Sequence, residues 1–309
     1  MIDKPKIVFM GTPEFAVPTL ESVHQEFGVS HVVTLPDKPK GRGQKLIPTP
    51  VKQKSEELGI PVLQPESLKD PDFILELEEI APDIMLVLAF RILPEAVYSI
   101  SKIATFNIHG SLLPKYRGAA PINWAIINGD KITGLTSFIL KKKVDTGDML
   151  LQDSMEVPEN FTAGDLHDAL MPMAAQMGVN TIKILLSGEF KPFPQQETEA
   201  TPAPKIFREG CKAEWNQHAR TLRNFIHGVS PIPGCWSEWN GKRLKILRVE
   251  YTACGVGEPG EFQITDDKIL VQCGKGVLSL IEIQPQGKKV MKTRDFLKGY
   301  RGEKNGKFD

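Results

Sequence analysis

The feature that most constrains this chain is a repeat of short β-branched runs separated by helix-like stretches through its first two-thirds. The runs are Ile7 to Met10, Val29 to Thr34, Pro61 to Leu63, Ile84 to Ala89, Thr105 to His109 and Leu135 to Ile139. Helices are expected from Pro13, Pro50, Phe73, Pro94 and Pro121. Another is expected over Ala163 to Leu186, where Leu166, Leu170, Met173, Met177 and Ile184 recur near helical spacing. Several runs are apolar at nearly every position, as strands are when helices cover both faces of a parallel sheet. The expected fold class is α/β, a Rossmann-like doubly wound, mostly parallel sheet.

Lys191 to Pro204, KPFPQQETEATPAP, is rich in Pro, Glu and Thr and reads as a linker. Beyond it the pattern changes. Cys235 to Trp239 and Leu244 to Ile246 flank Asn240-Gly241, a pair that tolerates the positive φ angles of a type I′ hairpin turn. Further runs at Ile269 to Gln272 and Val277 to Ile283 suggest a small β-barrel or sandwich. Three segments are therefore expected: a domain over residues 1–190, a linker over 191–207 and a smaller domain over 208–309.

The 309 residues carry 38 Lys and Arg against 38 Asp and Glu, so net charge indicates no partner. Its distribution is uneven: from Arg208 onward there are 18 basic and 12 acidic residues. A basic tail suits either a polyanion or a solvated surface. Cys211, Cys235, Cys254 and Cys273 are widely spaced, with no CxxC pair or Cys/His cluster to hold a metal. Free thiols in a reducing compartment are expected. The N-terminal apolar run is too short for a signal sequence, and no run suggests a membrane span. A cytoplasmic monomer with no membrane partner is the expectation.

After the first strand, Met10-Gly11-Thr12-Pro13-Glu14-Phe15 carries one glycine where a dinucleotide-binding turn carries three. Thr12 is a candidate N-cap and Pro13 a candidate first helical residue. The turn offers no glycine-lined approach for a pyrophosphate, which disfavours an NAD-dependent dehydrogenase.

The fifth run ends in polar residues, FNIHGSLLP from Phe106 to Pro114. On a strand, Asn107 and His109 share a face, with Cα atoms about 7 Å apart. An amide donor and an imidazole at the carboxyl end of a doubly wound sheet can hold an acyl group and exchange its protons. A carboxylate to orient the imidazole is available from Val144-Asp145-Thr146-Gly147-Asp148, at the turn after the next strand. A hydrogen-bonded core histidine and a simple turn would also account for these segments taken singly.

FNIHGSLLPKYRGAAPINWAI together with VDTGDML resembles the folate-dependent formyltransferases, and within them the branch that acts on methionyl-tRNA. The likeness runs through GTPEFA at Gly11, PDKPKGRGQKL at Pro36, ILP at Ile92 and QPQGKK at Gln284. It implies a catalytic trio of Asn107, His109 and Asp145, with 10-formyltetrahydrofolate as formyl donor and no metal. The tetrahydrofolate derivative would lie against Ser111, Leu112, Leu113 and Pro114 and the loop at Ile92 and Leu93. The chain departs from the family at Ala89-Phe90-Arg91-Ile92, where many members have Ala-Tyr-Gly.

The acceptor is less constrained by the core motif, which small-nucleotide and amino-sugar formyltransferases share. Pro36 to Leu46 carries Lys38, Lys40, Arg42 and Lys45 between Pro and Gly residues, a composition that suits a solvated loop or phosphate contacts. The resemblance implies the latter, with the initiator methionyl-tRNA as partner, Arg42 at the key position and an OB-like β-barrel in the tail. Lys242, Arg243, Lys245, Lys288, Lys289 and Lys292 would extend the contact. Trp215, Trp236 and Trp239 are expected to pack a core before stacking on bases. The expected activity is formylation of the methionyl α-amino group for translation initiation. An amino-sugar formyltransferase and an inactive RNA-binding protein are the alternatives.

Overall fold

The computed structural model describes residues 4–40, 45–252 and 257–309. Arg42 and Cys254 lie outside the described residues. The chain forms two compact units, the first comprising residues 1–118, 133–155 and 167–202 and the second 119–132, 156–166 and 203–309.

The first unit is built on a seven-stranded sheet. From edge to edge its strands are Met149–Glu156, Ile132–Ile139, Ala104–His109, Ile84–Leu88, Ile7–Gly11, His31–Val33 and Val62–Leu63. The five strands from Ala104–His109 to Val62–Leu63 pair in parallel. The two central ones, Ile7–Gly11 and Ile84–Leu88, are buried at every position, which explains their unbroken apolar sequence. The strand order reverses between this pair, placing the topological switch point at their carboxyl ends, one strand away from Ala104–His109. Val8, Met10, Met85, Val87, Phe73, Leu77 and Leu93 form one core cluster of this unit.

Helix starts follow local chemistry. Thr49 accepts from Lys52 N–H at 3.1 Å ahead of Pro50, and Asp70 accepts from Asp72 N–H at 3.1 Å ahead of Pro71. The first turn differs from its expected form. A 3-10 turn at Glu14–Ala16 precedes the helix Val17–Phe27, and Thr12 caps neither; its Oγ1 is buried without a partner.

Three further features differ from the sequence reading. Ile132–Ile139 pairs antiparallel with Ala104–His109, with His109 opposite Thr136 and Phe106 opposite Ile139. The two strands therefore do not end at the same edge. Met149–Glu156 is an additional strand whose polar Gln152, Asp153 and Ser154 are exposed, so its apolar run stops at Leu151. Ala163–Ser187 is long and apolar enough by length and composition to cross a membrane, contrary to the reading that no segment approaches this. Half of its most apolar window is buried in the protein, and Gly178 brings the helix within van der Waals reach of Thr19, Leu86 and Ile108.

The stretch after this helix is held along the first unit. Phe193 pairs with Met149 through two backbone hydrogen bonds of 2.8 and 3.0 Å, and Thr201 accepts from Arg117 N–H at 2.8 Å.

The second unit joins an antiparallel sheet to the helices Pro121–Asn128 and Ala219–Gly228. Its strand order is Cys235–Trp239, Lys242–Thr252, Val277–Pro285, Ile269–Gln272, Glu261–Ile264 and Asn305–Lys307. Register shifts at Ile246 to Val249 mark an irregularity that bends the long strand. The sheet curls, and Asp309 joins its two edge regions: its N–H donates to Glu238 O at 3.2 Å, and its O accepts from Ser237 Oγ at 2.8 Å. This is the OB-like fold expected for the tail. Asn240 and Gly241 have φ of 52° and 68°, as a type I′ turn requires. Trp215 and Trp239 are buried in the core, while Trp236 is half-buried. Gly228 permits a close helix crossing, since a Cβ there would press on Ile127 N and Asn123 O.

Candidate active site

Asn107 and His109 project from one face at the end of the Ala104–His109 strand. His109 is 6% exposed, and its Nε2 lies 2.7 Å from the Tyr116 carbonyl oxygen. A carbonyl only accepts, so Nε2 carries the hydrogen and Nδ1 is the nitrogen left for proton exchange. Nδ1 faces Asp145 Oδ2 at 3.8 Å, beyond hydrogen-bond distance. The orienting partner of His109 is thus the Tyr116 carbonyl, which the sequence reading did not identify.

Asp145 reaches this position by an unexpected path. Its strand runs antiparallel and ends at Ile139 beside Phe106, so the following turn doubles back to meet His109. The turn is tightly specified. Asp145 has φ of 54°, a left-handed conformation that aspartate tolerates better than most residues. Gly147 packs where any Cβ would overlap the Ile139 carbonyl oxygen. The Gly118 N–H donates to Asp145 Oδ2 at 2.9 Å.

The Asn107 side-chain amide is half-buried and makes no side-chain hydrogen bond among the described residues. Its neighbours are satisfied. Ser111 Oγ donates to Lys115 O at 2.6 Å, while Thr136 Oγ1 donates to Ser111 O at 2.7 Å and accepts from Leu113 N–H at 3.0 Å. Gln152 Nε2 donates to Leu113 O at 2.8 Å. The expected folate wall is therefore rigid but divided. Leu112 is half-buried and Ile92 is 74% exposed, whereas Ser111, Leu113, Pro114 and Leu93 are buried.

Arg91 is held away from free solution. Its Nη1 and Nη2 donate to the Glu66 and Pro65 carbonyls at 2.9 and 2.8 Å, and burial lowers its pKa. The Arg91 departure thus fastens the Ile92 segment to residues 65–66.

The basic segment forms a hairpin, Lys38–Lys40 paired antiparallel with Lys45–Ile47, with Lys40 opposite Lys45. Lys38 is exposed, as are Leu46 and Ile47. The hairpin's base is anchored by Asp37, which accepts from Lys52 Nζ at 2.7 Å and Gln64 Nε2 at 2.8 Å. Those two hydrogen bonds hold the Asp37 carboxyl below its ordinary pKa. Cys211, Cys235 and Cys273 are free and buried; burial raises the Cys273 pKa to about 11.

Comparison with known proteins agrees with this architecture. The formyl transferase family matches residues 5–182, and the formyl transferase C-terminal domain matches residues 205–301. The chain is 45% identical to the methionyl-tRNA formyltransferase of Caldanaerobacter subterraneus, covering 96% of this chain and 97% of that one. It is 44% identical to the enzyme of the same name from Parabacteroides distasonis, covering 96% of each. Among solved structures, WlaRD, a sugar 3N-formyl transferase crystallised with dTDP and 5-N-formyl-THF, superposes with a TM-score of 0.68 at 19% identity, covering 93% of this chain and 99% of that one. Aquifex aeolicus HypX with tetrahydrofolic acid gives 0.65 at 18% identity; this chain covers 47% of its length, and 96% of this chain is matched. On these matches, the chain belongs to the formyl transferase family.

Proposed function

We propose that this protein transfers the formyl group of 10-formyltetrahydrofolate to the α-amino group of initiator methionyl-tRNA, giving N-formylmethionyl-tRNA. The observation that carries this reading is the Asn107 amide, left without a side-chain partner beside a histidine oriented through its other nitrogen. Its context is a chain whose relatives bear the name methionyl-tRNA formyltransferase. We further assign formyl transfer to residues 1–190 and tRNA contact to 208–309, with 191–207 connecting them, in a cytoplasmic monomer.

The folate supplies an activated one-carbon unit; Ile92 and Leu112 offer apolar surface to its rings, and Leu93, Ser111, Leu113 and Pro114 form the internally bonded wall behind them. Asn107 Nδ2 donates a hydrogen bond to the formyl oxygen as negative charge grows there. His109 Nδ1 takes up or returns the proton that the attacking amine loses, while Tyr116 O fixes the ring through Nε2. Asp145 Oδ2, 3.8 Å away, balances the imidazolium charge. Lys38, Lys40, Arg42 and Lys45 meet acceptor-stem phosphates.

The decisive experiment incubates the protein with 10-formyltetrahydrofolate and either methionyl-tRNA or a dTDP-amino sugar. Formyl-methionine from the first and no product from the second is the expected outcome; the reverse would overturn the acceptor assignment. Arg42→Ala should raise KM for methionyl-tRNA with little effect on the folate, and an unchanged KM would remove that arginine from the interface.

A further inference from the structure

The reserve of structure around Asp145 extends to a residue in the Pro-rich segment, Gln195. Its Nε2 lies 3.0 Å from the Asp145 carbonyl oxygen and 2.8 Å from that of Gly147. Its Oε1 accepts from Arg117 Nε at 3.0 Å and Nη2 at 2.7 Å. An amide has two N–H donors and an oxygen with two lone pairs, so every polar valence of this side chain is used. Both orientations cannot be equivalent. Carbonyls only accept and guanidinium only donates, so a flipped amide would lose all four bonds.

The same arginine connects back to the site. Its side chain pairs with Glu197 through Nη1 and Nη2 at 3.0 and 2.8 Å. Its two chain neighbours hold the proposed catalytic groups: Tyr116 O orients His109, and the Gly118 N–H binds the Asp145 carboxylate. Asp145 is therefore held from both ends. Its carboxylate is bound to the backbone beside Arg117, and its carbonyl to the Arg117 side chain through Gln195. The left-handed φ of 54° at Asp145 gives this closed ring a specific task, because a left-handed residue, even a tolerant one such as aspartate, keeps a single conformation best when its surroundings fix it.

We infer that Gln195 is a positioning residue for formyl transfer, fixing the Asp145 turn so that its carboxylate faces His109 Nδ1. It touches no substrate and acts through Asp145. This inference rests on the proposed role of Asp145, so the test separates the two. Asp145→Asn, Gln195→Ala, Gln195→Glu and the double variant Gln195→Ala/Asp145→Asn are compared in single-turnover formylation of methionyl-tRNA, with Tm recorded for each.

Displacement of a reacting group by about 1 Å can cost roughly a hundredfold in rate, so Gln195→Ala should lower kcat by about 10- to 100-fold. KM for both substrates should change by less than about threefold. Gln195→Glu retains the volume and the Arg117 contact but lacks both N–H donors, and it should be at least as slow as the alanine variant, with a Tm lowered by the two lost bonds. A Gln195→Glu rate equal to wild type would overturn the inference, because filling space and pairing Arg117 would then suffice. In the Asp145→Asn background, Gln195→Ala should add little further loss; full additivity would also overturn it. If Asp145→Asn alone is as fast as wild type, the catalytic role of Asp145 fails, and the positioning role fails with it. A slow Asp145→Asn with a normal Gln195→Ala rejects the positioning role alone.

Discussion

The two units use polar side chains in opposite ways. Around His109 and Asp145 in the first unit, Ser111, Thr136, Gln152, Gln195 and Arg117 all spend their polar atoms on hydrogen bonds within the protein. Asn107 stands out as an amide without such a partner. In the second unit, Trp215, Trp239, Phe262 and Phe308 pack with ring centroids 5.0 to 5.7 Å apart, and the cations surround that core. Arg208, Arg243 and Lys245 line one open hollow of about 470 Å³, with Arg243 stacked 4.0 Å over Trp236. Burial, together with Arg208 and Arg243, lowers the Lys245 pKa. Chemistry requires donors already aimed at the charge that will develop, whereas contact with a phosphate backbone needs charge with little demand on register.

The largest expected effects break the first half of that contrast. Asn107→Ala and His109→Ala should each slow single-turnover formylation by about 10²- to 10⁴-fold. They should leave methionyl-tRNA affinity within about threefold. Their stabilities should differ. Asn107→Ala removes no side-chain hydrogen bond and should hardly move Tm, while His109→Ala forfeits the 2.7 Å bond to Tyr116 O, at a cost of about 1 kcal/mol. Near-normal formylation by Asn107→Ala would mean that its unpartnered amide has no part in the reaction.

The second unit holds a buried histidine that makes a different kind of prediction. His227 is 2% exposed, and its Nε2 lies 3.1 Å from both the Val249 nitrogen and the Val249 carbonyl oxygen. Burial foremost, then the Arg223 and Arg248 cations, lower its pKa to about 4 against smaller opposing effects of the Val249 backbone hydrogen bond and Asp165. In the unfolded chain this group titrates near pH 6.5, so between pH 6.5 and 4 the unfolded state binds a proton that the folded state refuses. Stability therefore falls as pH drops through that window, by about 2 kcal/mol at pH 5 and about 3 kcal/mol at pH 4. Urea unfolding at pH 7.5 and 5 should show this loss in the wild type and a smaller one in His227→Gln. Equal losses would assign the acid sensitivity to other groups.

What the sequence could reveal followed from how far each signal reaches along the chain. The buried strands Ile7–Gly11 and Ile84–Leu88 were legible because burial on two faces leaves only apolar residues. The Asn240-Gly241 hairpin was legible because its φ angles restrict residue type locally. Met149–Glu156 was not, since an edge strand with exposed positions carries no such pattern. The direction of Ile132–Ile139 was hidden too, because pairing sense depends on the path of the connecting chain. At the site, Asn107 and His109 share a face by strand periodicity alone. The Tyr116 carbonyl, the Gly118 N–H and Gln195 could not be found that way, as backbone groups have no sequence signature and Gln195 lies 50 residues beyond Asp145. The first turn misled for a similar reason: Thr12-Pro13 has a capping composition, but a 3-10 turn intervenes before the helix.

The smallest expected effects sharpen the second half of the contrast. Lys242, Lys288, Lys289 and Lys292 are exposed on or beside the second unit's strands, as distributed phosphate contacts would be. Replacing any one by alanine should weaken methionyl-tRNA binding by no more than about threefold and reduce the slope of log affinity against log salt by about one. Single-turnover kcat at saturating tRNA should not change. Because each lysine contributes through counterion release without a fixed partner, combined replacements should lower the slope in roughly additive steps. Arg243→Ala should exceed any one of them, since its guanidinium also covers the Trp236 ring. Should one lysine instead abolish formylation while leaving the salt slope intact, the tail would be placing the acceptor at a defined point. The two units would then share the demand for geometry that otherwise sets the first apart.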